Sequence, residues 1–125
     1  TIAHGLVRSL YEDGRLDEKE VASFANAGKF DETNAAIACL ANVSIAVAEK
    51  MMIESKTEGV LILAKVSGLS WPTVKTIIAM RKDLADIEIA DIDAAERTYE
   101  RLRPSTAQQV LRFHRTQQAA DPSPA

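Results

Sequence analysis

Apolar residues recur along this chain at intervals of three and four with polar residues between them, and that spacing predicts helices almost from end to end. Ile2, Leu6 and Leu10 lie four apart, with Ala3 and Val7 beside them, and mark one face of a first helix that Gly14 stops. Asp17, with Glu20 three residues on, reads as a capped start for a second helix through Val21 and Phe24 to Gly28. Asp31 is the expected cap of a third, carrying Ala36, Ile37, Leu40 and Ala41, and Ser44 of a fourth, with Val47, Ala48, Met51 and Met52. Thr57 opens a fifth through Val60, Leu63 and Ala64, ended by Gly68. Ser70 caps a sixth, where Pro72 falls harmlessly in the first turn. The run Val60 to Ala64 also admits a strand, but it is short and flanked by helix signals, so a buried central helix is expected.

Beyond Arg81 the pattern lapses. Lys82 to Asp91 is charged, with Ile87 and Ile89 alternating, and reads as a connector. Asp91 or Asp93 then caps a seventh helix with Ala95, Tyr99 and Leu102, stopped before Pro104. Ser105 or Thr106 caps an eighth with Ala107, Val110, Leu111 and His114. From Ala119 the tail, with Asp121, Pro122, Ser123 and Pro124, is expected to be disordered.

The helices also repeat. Leu10, Leu16, Asp17, Val21 and Phe24 share their spacing with Ile37, Val43, Ser44, Ala48 and Met51, and with Leu63, Leu69, Ser70, Val74 and Ile77. The offsets are 27 and 26 residues. Each unit is a helix end, a turn with one apolar plug, a cap, and two core positions a turn apart. A hairpin of this kind cannot bury its apolar face alone, so the units are expected to stack. The predicted fold is therefore all-α: stacked helical hairpins, a short HEAT-like or α-solenoid-type repeat of seven to eight helices. It forms one domain over residues 1–118, and 119–125 are the tail. Leu40, Leu63, Val74 and Ile77 should be buried and in mutual contact across adjacent hairpins.

Further motifs sharpen this. Phe30-Asp31, Ala35-Ala36-Ile37-Ala38, Leu40-Ala41 and Val43 form one set, Ala64 and Gly68-Leu69-Ser70-Trp71-Pro72-Thr73-Val74 a second, and Ala107-Gln108-Gln109-Val110-Leu111-Arg112-Phe113 a third. On these residues the chain resembles a bacterial family, domain of unknown function 2336. The resemblance implies an α-helical, repeat-like protein of proteobacterial type. It carries over no activity and no catalytic residue.

Composition changes the picture little. The 125 residues are 46% apolar, 26% charged and only 5% aromatic, which suits a single helical domain with a core of its own. Cys39 is the only cysteine, set in an apolar run, and reads as a buried, inert thiol. No apolar run approaches a membrane span and no signal-peptide pattern opens the chain, so the expected location is cytoplasmic and no membrane partner is expected. The first residue is Thr1, as in a piece of a longer protein.

Charge is uneven. Residues 1–100 hold 11 Lys/Arg against 17 Asp/Glu, a balance of −6, whereas residues 101–125 hold four Arg against Asp121, a balance of +3. An acidic body argues against nucleic acid wrapping it. No catalytic, metal or cofactor constellation is legible: His4 and His114 sit at opposite ends, and the glycines form no phosphate loop. The acidic run Asp86, Glu88, Asp91, Asp93 reads as a solvated face.

Residues 63–77 are the one rival signal, reading as a DNA-binding helix-turn-helix, with Gly68 at the turn and apolar residues fixing the second helix. Those positions set helix crossing and say nothing of DNA. The face that would read bases offers Trp71, Pro72, Lys75 and Thr76, with one cation among them; Arg81 and Lys82 would have to add phosphate contacts. The expectation is thus a non-enzymatic interaction or scaffold module with an unidentified protein partner and an open question of self-association, against a transcriptional regulator as the alternative. Its candidate partner surface is Trp71, Lys75, Arg112, Phe113 and Arg115. Trp71 also reads as a core plug, and the arginines as complements to the dipole of the last helix.

Overall fold

A computed structural model describes residues 2–54, 56–85 and 91–120, with side chains for all of these except 83–85 and 117–120. Among them are eight helices: α1 Ile2–Glu12, α2 Glu18–Asn26, α3 Phe30–Ala41, α4 Ile45–Glu54, α5 Lys56–Ser67, α6 Trp71–Ala85, α7 Ile92–Arg101 and α8 Pro104–Ala120. They form an all-α helical stack, and α5 settles the reading of Val60 to Ala64 as helix.

Helix length is metered by left-handed residues. Gly14, Gly28, Asn42, Lys56 and Gly68 have positive φ, at spacings of 14, 14, 14 and 12 residues. At four of them the next residue's N–H donates to a carbonyl five positions back: Arg15 to Leu10, Lys29 to Phe24, Val43 to Ala38 and Leu69 to Ala64. This closure satisfies carbonyls that a helix end leaves open. Two such helices make one repeat, which is where the offsets of 27 and 26 come from. In the second and third units the apolar plug directly follows the left-handed residue (Val43 and Leu69). In the first it comes one residue later, at Leu16.

Helix starts follow the sequence in part. Asp17, Ser44 and Asp91 accept from the N–H of Glu20, Val47 and Ala94. Asp31 does not cap α3; the helix starts at Phe30 behind Lys29, leaving Asp31 in the first turn, where its charge still favours the helix end. The α5 helix opens at Lys56 rather than Thr57. Ser70 stands before α6, but its hydroxyl turns to Glu18 instead of capping. Neither Ser105 nor Thr106 caps α8, because Pro104, whose ring presets φ, already occupies the first helical position. The supposed connector is helical as far as Ala85, and residues 86–90 lie outside the described residues, as do 121–125 of the tail. Ala119 and Ala120 belong to α8.

The centre of the stack is α3 and α5. Helix α3 packs against α1, α2, α4, α5 and α6, and α5 against α3, α4, α6, α7 and α8. Both therefore carry unbroken buried runs, Thr33 to Ala38 and Gly59 to Ala64, with no polar face to show. Gly59 lets α4 close in: a Cβ there would lie 2.8 Å from the carbonyl carbon of Met51 and nearer still to its oxygen. Leu63, Val74 and Ile77 are fully buried in one cluster, and Leu40 packs on it half-buried.

At the ends of the row the hairpins splay. Among the described residues α1 packs on α3 alone, so only Val7 is fully covered; Leu10 is half-buried, while Ile2 and Leu6, expected on the inner face, are exposed. Helix α7 leans on α5 and α6, and α8 on α5 and α4, and among the described residues no Cα of α7 comes within 8 Å of a Cα of α8.

Candidate functional site

Three places in this stack have the shape or chemistry of a site. The first is the turn between α5 and α6. Glu18, at the start of α2, reaches the N-terminus of α6 and accepts from the Ser70 N–H at 3.2 Å, the Ser70 hydroxyl, and the Thr73 hydroxyl at 2.6 Å. These bonds favour the charged carboxylate and hold its pKa below the usual value. From the other side, the buried Tyr99 of α7 donates its hydroxyl to the Leu69 carbonyl. Lys65 lies 3.9 Å over the Tyr99 ring and Trp71 packs at its edge, ring centres 6.1 Å apart. Burial, and secondarily the charge of Glu18, push the Tyr99 pKa up to about 12.

The turn is therefore clamped from two sides. A carboxylate sits where a phosphate would meet the start of a reading helix. Trp71 is half-buried against Tyr99, and Lys75 is exposed. Arg81 cannot supply the contact its sequence position suggested: it is 3% exposed, its guanidinium 5.1 Å over the Phe30 ring. Among the described residues its Nε and Nη1 have no hydrogen-bond partner, and neither do the side-chain atoms of the fully buried Asn34. Burial lowers the Arg81 pKa, an effect partly opposed by the charge of Glu49.

The second place is the gap between α7 and α8. It encloses about 480 Å³. Leu61 and Ile62 of α5 and Ala95 of α7 form its floor, and Ala94, Leu102 and Val110 its walls. Three threonine side chains (57, 98 and 106) and the carboxylates of Glu58 and Asp91 make the rim; no described lining residue is cationic. Asp91 already accepts from the Ala94 N–H at the start of α7. Phe113, 59% exposed, lies seven residues beyond Thr106 and three beyond Val110, on the same face of α8. It extends the apolar strip past the cleft. Arg112 and Arg115 are exposed on the helix's other flanks, so the basic–aromatic edge read from sequence separates into an aromatic on the cleft face and cations off it.

The third is a cleft of about 300 Å³ bringing His4 and Arg8 of α1 alongside Cys39 of α3. Residues 35 sequence positions apart thus share a wall, which spacing alone did not reveal. Cys39 is only half-buried, not fully enclosed. Burial nonetheless raises its pKa, against a smaller lowering by Arg8, which disfavours the thiolate, and among the described residues no carboxylate lines the cleft to orient a base. Among the described residues no group of three His, Cys, Asp or Glu side chains is placed to hold a metal. No single described helix is long and apolar enough to cross a membrane; α3 and α4 suffice only together, and they meet at 107°.

The chain belongs to domain of unknown function 2336, a family described as an uncharacterised protein conserved in bacteria, whose model matches residues 1–112. No curated protein and no solved structure matches it.

Proposed function

We propose that this member of the family is a non-enzymatic protein-interaction or scaffold module of the bacterial cytoplasm, working without a cofactor. The observation that carries the reading is the uncovered apolar surface formed by the α5–α7–α8 cleft and Phe113. An apolar-lined concavity with an exposed aromatic on the same helix face suits a binding surface better than the exposed Ile2, Leu6 and Ile53, which line neither cleft. The alternative, DNA reading by α6, is opposed by the Glu18 carboxylate at the helix start and by the burial of Arg81.

Titration with genomic DNA fragments at near-physiological salt tests the choice. Only weak binding without sequence preference is expected, falling steeply as salt rises. Selective, sub-micromolar binding abolished by Lys75→Glu would replace the scaffold reading with a regulator.

A further inference from the structure

We propose that the gap between α7 and α8 receives an amphipathic helix of a partner protein, with an apolar stripe and Lys or Arg beside it. This rests on the interaction-module reading and names the site and the partner's chemistry.

The shape argues for a helix. Helices α3 and α5 are surrounded by neighbours, whereas among the described residues no Cα of α7 comes within 8 Å of a Cα of α8, and the two flank α5 with a cleft between them. The result is a slot floored by one helix and walled by two. Along α7 the lining residues Asp91, Ala94, Ala95, Thr98 and Leu102 follow helical spacing, so the groove runs with that helix for about 16 Å, or three turns. A guest helix offers apolar side chains at i, i+4 and i+7 over that length. Phe113 continues the strip beyond the enclosed volume, where a small molecule filling the cleft would leave it bare.

Charge argues for a basic guest. Glu58 and Asp91 are the only charged described residues on the lining, and both are negative. A cation on the guest gains from both, and an acidic guest is repelled. A second copy is the poorer occupant. On α1 the exposed Ile2 and Leu6 share their helix with a single Lys or Arg, Arg8, which lines the cleft beside Cys39; on α4 the exposed Ile53 is a single residue, and its neighbour Lys50 lies 4.0 Å from Glu54.

The probes are two fluorescein-labelled helical peptides of about four turns, identical in a leucine stripe, one flanked by lysines and the other by glutamates. Anisotropy titrations should show the wild type binding the lysine peptide at least about tenfold more tightly than the glutamate peptide. Thr98→Arg, at an exposed rim position, should abolish binding of the lysine peptide while far-UV circular dichroism stays unchanged. Glu58→Lys, also exposed, should reverse the preference between the peptides, which mere loss of folding would not do.

Binding of neither peptide, equal binding of both, or binding indifferent to Thr98→Arg would overturn the proposal. So would concentration-dependent self-association in sedimentation that Thr98→Arg removes, since the occupant would then be a second copy. Native-lysate partners retained equally by wild type and Thr98→Arg would also overturn the cleft as their site, while leaving the interaction-module reading in place.

Discussion

Gly59→Ala tests the packing at the heart of the stack with a single methyl group. In the middle of an exposed helix this substitution stabilises by about 1 kcal/mol, because alanine loses less backbone entropy on folding. Gly59 is buried where α5 meets α4, and the added carbon would stand 2.8 Å from the Met51 carbonyl carbon, with Met52 N at 3.2 Å. Ordinary contact begins near 3.4 Å, so the two backbones must part locally by several tenths of an ångström or more. Neither atom is the end of a flexible side chain that can swing away. Overpacking costs about 1 to 3 kcal/mol where side chains adjust; against rigid backbone the upper figure applies, and the net loss is about 2 kcal/mol. For a domain of this size that lowers Tm by about 8 °C. Gly5→Ala is the internal control: Gly5 lies within α1 with nothing inside 4 Å of an added Cβ, so the same change should raise stability by about 0.5 to 1 kcal/mol. Urea unfolding followed at 222 nm measures both. A Gly59→Ala protein as stable as the wild type would refute the close approach of α4 and α5.

Two further substitutions probe the polar groups. The Glu18 pKa is held below its usual 4.5, so its clamp on α6 contributes stability that is present above that pH and is lost as pH falls through the lower folded value. Glu18→Gln should therefore cost about 1 kcal/mol at neutral pH and flatten the acid limb of the stability profile, measured by urea unfolding across pH; an unchanged acid limb would remove Glu18 from the clamp. Arg81 is buried with two nitrogens that bond to no described residue, so Arg81→Met should leave stability equal or raise it by about 1 kcal/mol or more. A loss of more than about 1 kcal/mol in chemical denaturation would show that the guanidinium has a partner in solution.

What the chain discloses about its own fold follows from what is local. Helix ends were legible because a left-handed turn favours glycine or asparagine, and Gly14, Gly28 and Gly68 stand where the apolar period breaks, whereas Lys56 gives no such signal. Caps were legible where an acceptor side chain preceded a helix with nothing better to bind, as at Asp17 and Ser44. The reading failed where a distant group competed. Ser70 has the sequence of a cap, yet Glu18, 52 residues away in sequence, draws its hydroxyl. Ile2 and Leu6 keep the helical period and still face solvent, because α1 meets only α3 and one helix cannot cover so wide an apolar sector.

The two aromatic anchors offered by the sequence separate on the same principle. Trp71 and Phe113 were equal candidates for a partner surface, each with a bland reading beside it. Trp71 follows a turn that two other helices grip, so its ring is drawn onto Tyr99. Phe113 lies on the face of α8 that Thr106 and Val110 turn to the cleft, and its ring remains 59% exposed. No period in the chain reports the gap between α7 and α8: it depends on α7 choosing α5 and α6 while α8 chooses α5 and α4. The cleft is accordingly invisible in the spacing of Ala94, Thr98 and Leu102, which have the same pattern whether they face a neighbour or a gap. Threonine at position 98 does not betray the gap either, since Thr33 and Thr73 carry the same side chain buried between helices of this chain.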